Sequence, residues 1–190
     1  MHIGLFFGSF NPVHTGHLII ANNILNETTV DTIWFVVSPV NPFKINTDLL
    51  DENARLALVE IALRDDKRIT ASSIEFQLPK PSFTINTLSF LKRNYGEHDF
   101  SIIMGSDNFR YIDKWKDYEK IIANGKILIY LRSGFAVDNS FDGDIVVLNA
   151  PILNISSTEI RKLVKEEKSI RYLVPEAVRL EIEKKGYYKK

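Results

Sequence analysis

Residues 3–17 read Ile3-Gly4-Leu5-Phe6-Phe7-Gly8-Ser9-Phe10-Asn11-Pro12-Val13-His14-Thr15-Gly16-His17. An apolar run stops at Gly8, turn-forming residues follow, and an amphipathic run from Leu18 to Leu25 comes next. Strand, small-residue turn and helix, in that order, present unpaired backbone N–H groups at a helix start, where the dipole adds roughly half a positive charge. Residues three apart share a helix face. A helix beginning near Thr15 therefore sets His14 at its mouth and His17 in its first turn. A free imidazole is mostly neutral at pH 7, and a bound polyphosphate favours its protonated form. Capping or packing would explain one such histidine; two within four residues, directly after this turn, point to a nucleotide phosphate site built from imidazoles and backbone. A zinc site is not expected, because His-x-x-His supplies two ligands and no obvious third accompanies it.

Outward from this stretch, β-rich runs alternate with helical periodicity. Strands are expected over His2–Phe7, Thr32–Ser38, Ile69–Ser72, Phe100–Gly105, Lys126–Arg132 and Asp144–Asn149. Helices are expected over Thr15–Asn26, Asp51–Arg64, Thr84–Tyr95, Asp117–Ala123, Ser157–Glu166 and Pro175–Lys185, the last ending at Gly186 as a C′ glycine would. Nearly all-apolar runs such as Ile33-Trp34-Phe35-Val36-Val37 suit parallel strands buried on both faces. The pattern predicts an α/β fold, a doubly wound Rossmann-like parallel sheet with helices on both faces. Its ligands belong beyond the carboxyl ends of the strands. The dinucleotide fingerprint Gly-x-Gly-x-x-Gly is missing, since the glycines here are Gly4, Gly8 and Gly16, and no Walker A sequence occurs. A dinucleotide-binding oxidoreductase is disfavoured accordingly. Pro39–Leu50 and Gln77–Phe83 are loops stiffened by paired prolines, and Ser133–Gly143 reads as a mobile surface loop.

A second stretch, Asn154-Ile155-Ser156-Ser157-Thr158-Glu159-Ile160-Arg161, has the marks of a helix start. Ser156 with Glu159 forms a capping box, and Ile155 with Ile160 a hydrophobic staple. The hydroxyls of Ser157 and Thr158 and the cation of Arg161 remain over. A cation in the first turn opposes the helix dipole, which is easier to understand if Arg161 reaches an anion. With the first stretch it makes the second half of a triphosphate cradle.

The 190 residues are read as one domain, 1–190, with balanced charge: 24 Lys and Arg against 24 Asp and Glu. Bulk attraction to nucleic acid or to an anionic membrane is not implied. With no cysteine, thiolate catalysis, disulfides and Cys-based zinc sites are excluded. The chain start lacks the features of a signal peptide and no apolar run approaches the length of a bilayer span, so a cytoplasmic location is expected. Monomer and homo-oligomer are left open.

Residues 8–17 resemble the nucleotidyltransferase superfamily signature ending in His-x-Gly-His, and Ile155–Arg161 its C-terminal companion. Three further segments narrow the resemblance to the bacterial nicotinate-nucleotide adenylyltransferases. They are Pro81-Ser82-Phe83-Thr84-Ile85-Asn86-Thr87-Leu88, Ile103-Met104-Gly105-Ser106-Asp107-Asn108 with Trp115, and Arg171-Tyr172-Leu173-Val174-Pro175 with Gly186-Tyr187-Tyr188. Asn11 replaces the family's commoner Asp, Phe83 its Tyr, and Pro42-Phe43-Lys44 its Pro-Pro-His-Lys.

The resemblance implies transfer of the adenylyl group of ATP to nicotinate mononucleotide, giving nicotinate adenine dinucleotide and pyrophosphate, with Mg²⁺ on the ATP phosphates and no direct protein ligand to it. His14, His17 and Arg161 are implied as catalytic. Gly8, Ser9, Phe10, Gly16, Gly105, Asp107, Ile155, Ser156 and Ser157 are implied with them in ATP binding, so that the C-terminal helices, about residues 155–190, complete the ATP site. Asn41, Lys44, Thr84 and Trp115 are implied for the mononucleotide, with Trp115 stacking on the pyridine ring. From spacing alone Thr84 is nearly as well explained as an N-cap and Asp107 as a helix cap, whereas the setting Asp-Lys-Trp-Lys-Asp favours an exposed Trp115. An adenylyltransferase preferring the amide nucleotide, or using both, is the nearest alternative, and a non-catalytic nucleotide-binding module the alternative of another class. Pantetheine-phosphate adenylyl transfer fits the middle segments less well.

Overall fold

The computed structural model describes residues 1–40, 48–137 and 141–189. Six strands form one open sheet: β1 His2–Gly8, β2 Thr32–Val37, β3 Ile69–Ser72, β4 Asp99–Gly105, β5 Lys126–Tyr130 and β6 Ile145–Leu148. Their order is β3-β2-β1-β4-β5-β6. Every neighbouring pair is parallel. The expected doubly wound sheet is present, with each strand within two residues of its expected bounds.

Strand periodicity explains why both faces need cover. Phe6, Ile33, Phe35, Val37, Ile103 and Leu128 point to one face and share a core with helices α1 (Thr15–Glu27), α2 (Glu52–Leu63), α6 (Ser157–Lys165) and α7 (Glu176–Lys185). Ile3, Leu5, Val36, Ile102, Met104, Ile127 and Ile129 point the other way. They meet α3 (Thr84–Asn94), the short α4 (Ser106–Phe109) and α5 (Tyr118–Asn124). The N-cap of α2 is Asp51, whose carboxylate accepts from the N–H groups of Asn53 and Ala54 at 3.0 and 3.2 Å. At its far end α7 stops at Gly186, in the left-handed conformation with φ 66°.

The chain leaves β1 toward β2 and β3, then returns through α3 to β4 on the other side of β1. The switch in direction therefore lies between β1 and β4, and the crevice at their carboxyl ends opens between Gly8 and Gly105.

Three short elements escape the periodicity: single 3-10 turns at Ile74–Gln77 and Ile112–Lys114, and α4. The polar stretch after β5 is less detached than expected. Arg132 bridges to Phe135, and Phe141 packs edge-on against Phe109 and Tyr118. Residues 138–140 lie outside the described residues.

Candidate active site

The turn after β1 is folded back onto the core. Phe10 takes a left-handed φ of 44°, and its ring lies buried against Phe35 and edge-on to Phe6. Gly8 makes room for that ring, since a Cβ there would stand 2.9 Å from Phe10 Cζ. The segment then reaches α1, whose N-cap is His14. The His14 N–H donates to His17 Nδ1 at 3.2 Å. The two imidazoles stack at 3.6 Å between centroids, 23° apart. Gly16 admits this pair: a Cβ on it would lie 3.0 Å from His14 Nδ1 and 3.1 Å from its Cε1.

His14 is 4% exposed. Burial, with the positive charge of Arg132 adding to it, lowers its pKa to about 3. The ring is therefore neutral at physiological pH, more firmly than spacing suggests, and its Nδ1 is buried with no partner among the described residues. His17 accepts at Nδ1, which makes Nε2 the proton-bearing nitrogen of that ring. His14, Gly16, His17 and Ile155 line one cleft, with Tyr130 and Arg132 at the end of β5 as its opposite wall.

The start of α6 is fastened to this turn. Ser156 caps the helix, its hydroxyl accepting from the Glu159 N–H at 3.2 Å. Ser157 Oγ donates to Pro12 O at 2.9 Å, and Arg161 Nη1 to Asn11 O at 2.9 Å. The Arg161 cation thus reaches a backbone carbonyl of the opposite jaw, where an anion was expected from the dipole argument, while its Nε is buried and unpartnered among the described residues. Residues 140 or more apart in sequence form a single mouth.

A second cavity, about 590 Å³ to its open rim, adjoins the end of β1 and is lined by Gly8, Ser38, Glu75, Thr84, Trp115 and Lys116 among others. Thr84 is the first residue of α3 and Phe83 its N-cap, so the capping explanation of Thr84 does not hold. The first N–H groups of α3 have no partner within the helix. Trp115 is half-buried, where an exposed ring was expected; it packs on the cluster containing Ile112 and Ile121 and still lines the cavity. Asp107 sits in the first turn of α4, whose N-cap is Gly105. Its Oδ2 is 3.7 Å from Arg132 Nε, and its Oδ1 is buried without a partner among the described residues.

A cytidylyltransferase-like family profile matches residues 5–163. A protein of Cytophaga hutchinsonii named "Probable nicotinate-nucleotide adenylyltransferase" is 46% identical over 191 residues, covering 99% of this chain and 98% of its own length. One from Flavobacterium psychrophilum with the same name is 45% identical, and both chains are covered completely. The chain belongs to the nicotinate-nucleotide adenylyltransferase family. Its fold is also similar to that of the Plasmodium falciparum nicotinic acid mononucleotide adenylyltransferase complexed with NaAD, with a TM-score of 0.85, 24% identity and coverage of 98% and 97% of the two chains.

Most residues that the family resemblance picks out lie around the two cavities of this nicotinate-nucleotide adenylyltransferase fold or on the loops that frame them. Asn41 and Lys44 lie outside the described residues. Three side chains near the cavities carry no motif and were missed. Arg132 follows β5. Glu75 stands in the 3-10 turn after β3. Arg55 on α2 is fully buried and donates to Leu50 O, Ser9 O, Ser38 O and Pro39 O at 2.6–3.0 Å. A signal for Arg55 existed: an arginine on the apolar face of an otherwise hydrophobic helix, beside Leu58 and Val59, has to find buried acceptors.

Proposed function

We propose that the chain joins nicotinate mononucleotide to ATP, forming nicotinate adenine dinucleotide and pyrophosphate. The observation that carries this reading is the placing of two clefts beside the end of β1, one walled by imidazoles and Arg132, the other by Trp115 and the start of α3. A 5′-phosphate oxygen of the mononucleotide forms a bond to the α-phosphorus of ATP. The bond from that phosphorus to the β-bridging oxygen breaks, and pyrophosphate leaves with the electron pair. The attacking phosphate is already anionic, so no general base is required. Catalysis is positioning and charge stabilisation.

In this reading His17 Nε2 and His14 stabilise charge on the transferring phosphoryl group, and Arg161, Ser156 and Ser157 hold the outer phosphates. Gly8, Ser9, Phe10, Gly16 and Ile155 supply backbone and wall to ATP, and Gly105 with Asp107 receives a ribose. Thr84 and the first N–H groups of α3 take the pyridine carboxylate, because a helix start favours an anion. Trp115 stacks on the ring. Asn41 and Lys44 are assigned to the mononucleotide on the resemblance alone.

Among the described residues no three His, Asp or Glu side chains gather into a metal site. Imidazole, guanidinium and hydroxyl groups suit phosphate oxygens better than a hard divalent cation. In this reading Mg²⁺ accompanies ATP on its phosphates, where it would neutralise triphosphate charge. No described helix is long and apolar enough to cross a membrane, and we place the activity in the cytoplasm, where ATP is present.

The test is pyrophosphate release from MgATP with nicotinate mononucleotide, or with its amide, in parallel. Release with the acid at much higher kcat/KM is expected. Release with neither would sink the assignment, and equal efficiency with both would remove the acid preference.

A further inference from the structure

Asn11 stands in the turn after β1, between Phe10 and His14, yet its side chain has no part in the chemistry above. It is 1% exposed. Both ends of its carboxamide are used. Nδ2 donates to Asp48 O at 3.0 Å, and Oδ1 accepts from the Leu50 N–H at 3.2 Å. These partners fix which way the amide faces, because a backbone N–H can only donate and a carbonyl can only accept. An ionised Asp, the commoner residue at this position of the signature, could accept from Leu50 but would meet the Asp48 carbonyl with a lone pair.

What Asn11 holds is the far end of the segment that leaves β2. That segment begins at Ser38, in the wall of the second cavity, and returns through Asp48 and Leu50 to Asp51, the N-cap of α2. Helix α6 braces the junction from the ATP side. Arg161 Nη1 donates to Asn11 O at 2.9 Å, and Lys165, one turn further along α6, pairs through Nζ with Asp48 Oδ2 at 3.0 Å. The Asn11–Asp48 bond thereby closes a ring that runs through Lys165, along α6 to Arg161, and back to Asn11. Its members are unequal. Lys165 and Asp48 are exposed, so their pair contributes little, whereas loss of the buried carboxamide leaves its partners unpaired. Arg55 joins the same pieces through Ser9 O and Leu50 O, so the segment would shift without Asn11 and not come free.

Adenylyl transfer needs the mononucleotide phosphate in line with the α-phosphorus, with the reacting atoms about 3–3.5 Å apart, and a displacement of about 1 Å can cost about 10²-fold in rate. We propose that Asn11 is a positioning residue for this step: its carboxamide, bonded to both Asp48 and Leu50, keeps the histidine turn in register with the segment that begins in the mononucleotide cavity. This inference rests on the adenylyl-transfer reading above. Asn11 is not among the residues that line either cavity. Its effect therefore falls on the reaction of two bound substrates and not on the binding of either one.

The test is kcat, from pyrophosphate release, beside the calorimetric dissociation constants of ATP alone and of nicotinate mononucleotide alone. The proteins are the wild type, Asn11→Asp and Asn11→Ala. Asn11→Asp keeps the acceptor and loses the donor. Asn11→Ala loses both without burying a charge, and it decides the matter if Asn11→Asp does not fold. In each folded variant kcat should fall about ten-fold or more, while both dissociation constants stay within about two-fold of wild type and binding stays equimolar with the chain. Equimolar binding separates misalignment from a smaller folded fraction. Wild-type kcat in folded Asn11→Ala, or a loss of kcat matched by weaker binding of one substrate, would overturn the proposal. Failure of both variants to fold would make the role purely structural and overturn it too. Absence of pyrophosphate release by the wild type would instead mark the failure of the adenylyl-transfer reading.

Discussion

At the scale of single residues, the two histidines of the first turn differ in state although they stack on one another. In the proposed reaction His17 acts as a donor: its Nδ1 accepts from the His14 N–H, which turns Nε2 into the proton-bearing nitrogen. His17→Ala should lower kcat by about 10²–10³, the usual effect of removing one preorganised donor to a transition state. A folded variant with near wild-type turnover would end that role. His14 leaves a mark on stability as well. Its pKa is lowered from 6.5 to about 3 in the folded chain. Between those values the unfolded chain takes up a proton that the native site refuses, so stability is fully present above about pH 6.5 and is lost as pH falls toward 3. The loss is about 1.4 kcal/mol per pH unit inside that window, or roughly 2 kcal/mol by pH 5. His14→Gln should lack this component; denaturation midpoints of both proteins at neutral pH and at pH 5 would show it, and parallel losses would refute it. Both histidines were legible because their meaning is local, a matter of spacing on one helix turn. Arg132 and Glu75 were not, because each is a lone charged residue that only the sheet order brings to a cavity.

At the scale of elements, what the sequence left unread is how the loops at the carboxyl edge are held together. Helix α2 does this through Arg55, which is buried and satisfied by four carbonyls from the turn after β1, the end of β2 and the approach to α2 itself. Removing the side chain leaves those carbonyls desolvated and unpaired. Arg55→Met should therefore cost about 3 kcal/mol or more in the urea denaturation of the protein. Arg55→Lys should recover only a fraction, since one ammonium cannot span acceptors that a planar fork reaches in several directions. A loss below about 1 kcal/mol for the methionine variant would mean that water satisfies the carbonyls instead. The long helices were readable from apolar periodicity and caps, with Asp51, Ser156 and Gly186 acting as their residue types suggest. The helix start at Thr84 was placed correctly, while spacing left an N-cap role for Thr84 open, because a threonine before an apolar run has the same pattern whether it caps the helix or begins it. One-turn elements such as α4 and the 3-10 turn carrying Glu75 span too few residues to show any period.

At the scale of the whole molecule, alternating strands and helices were enough to predict the parallel sheet, and the shared face of its strands explains why the two distant motifs meet. The C-terminal segment is part of that core. Ile160, Ile170, Val174, Val178 and Ile182 are buried in the same cluster as Phe6 and Phe35 of the sheet. The Thr15 N–H donates to Leu173 O at 2.9 Å, and Thr15 Oγ1 to Tyr172 O at 3.2 Å, so the first turn of α1 is bound to the segment between α6 and α7. We propose on these grounds that residues 1–190 fold as one unit and that the ATP site exists only in the complete unit. Five fully buried aliphatic side chains contribute about 1.5–3 kcal/mol each, together comparable to the whole net stability of a typical domain, about 5–15 kcal/mol. A chain ending at Asn154 should accordingly lack a cooperative transition, whereas the full chain should unfold in one step seen alike by far-ultraviolet circular dichroism and by tryptophan fluorescence, Trp34 and Trp115 reporting from opposite halves of the sheet. Native-like unfolding of the shortened chain, or two separated transitions in the full one, would show that α6 and α7 form a unit of their own, and the two jaws would then be joined by docking alone.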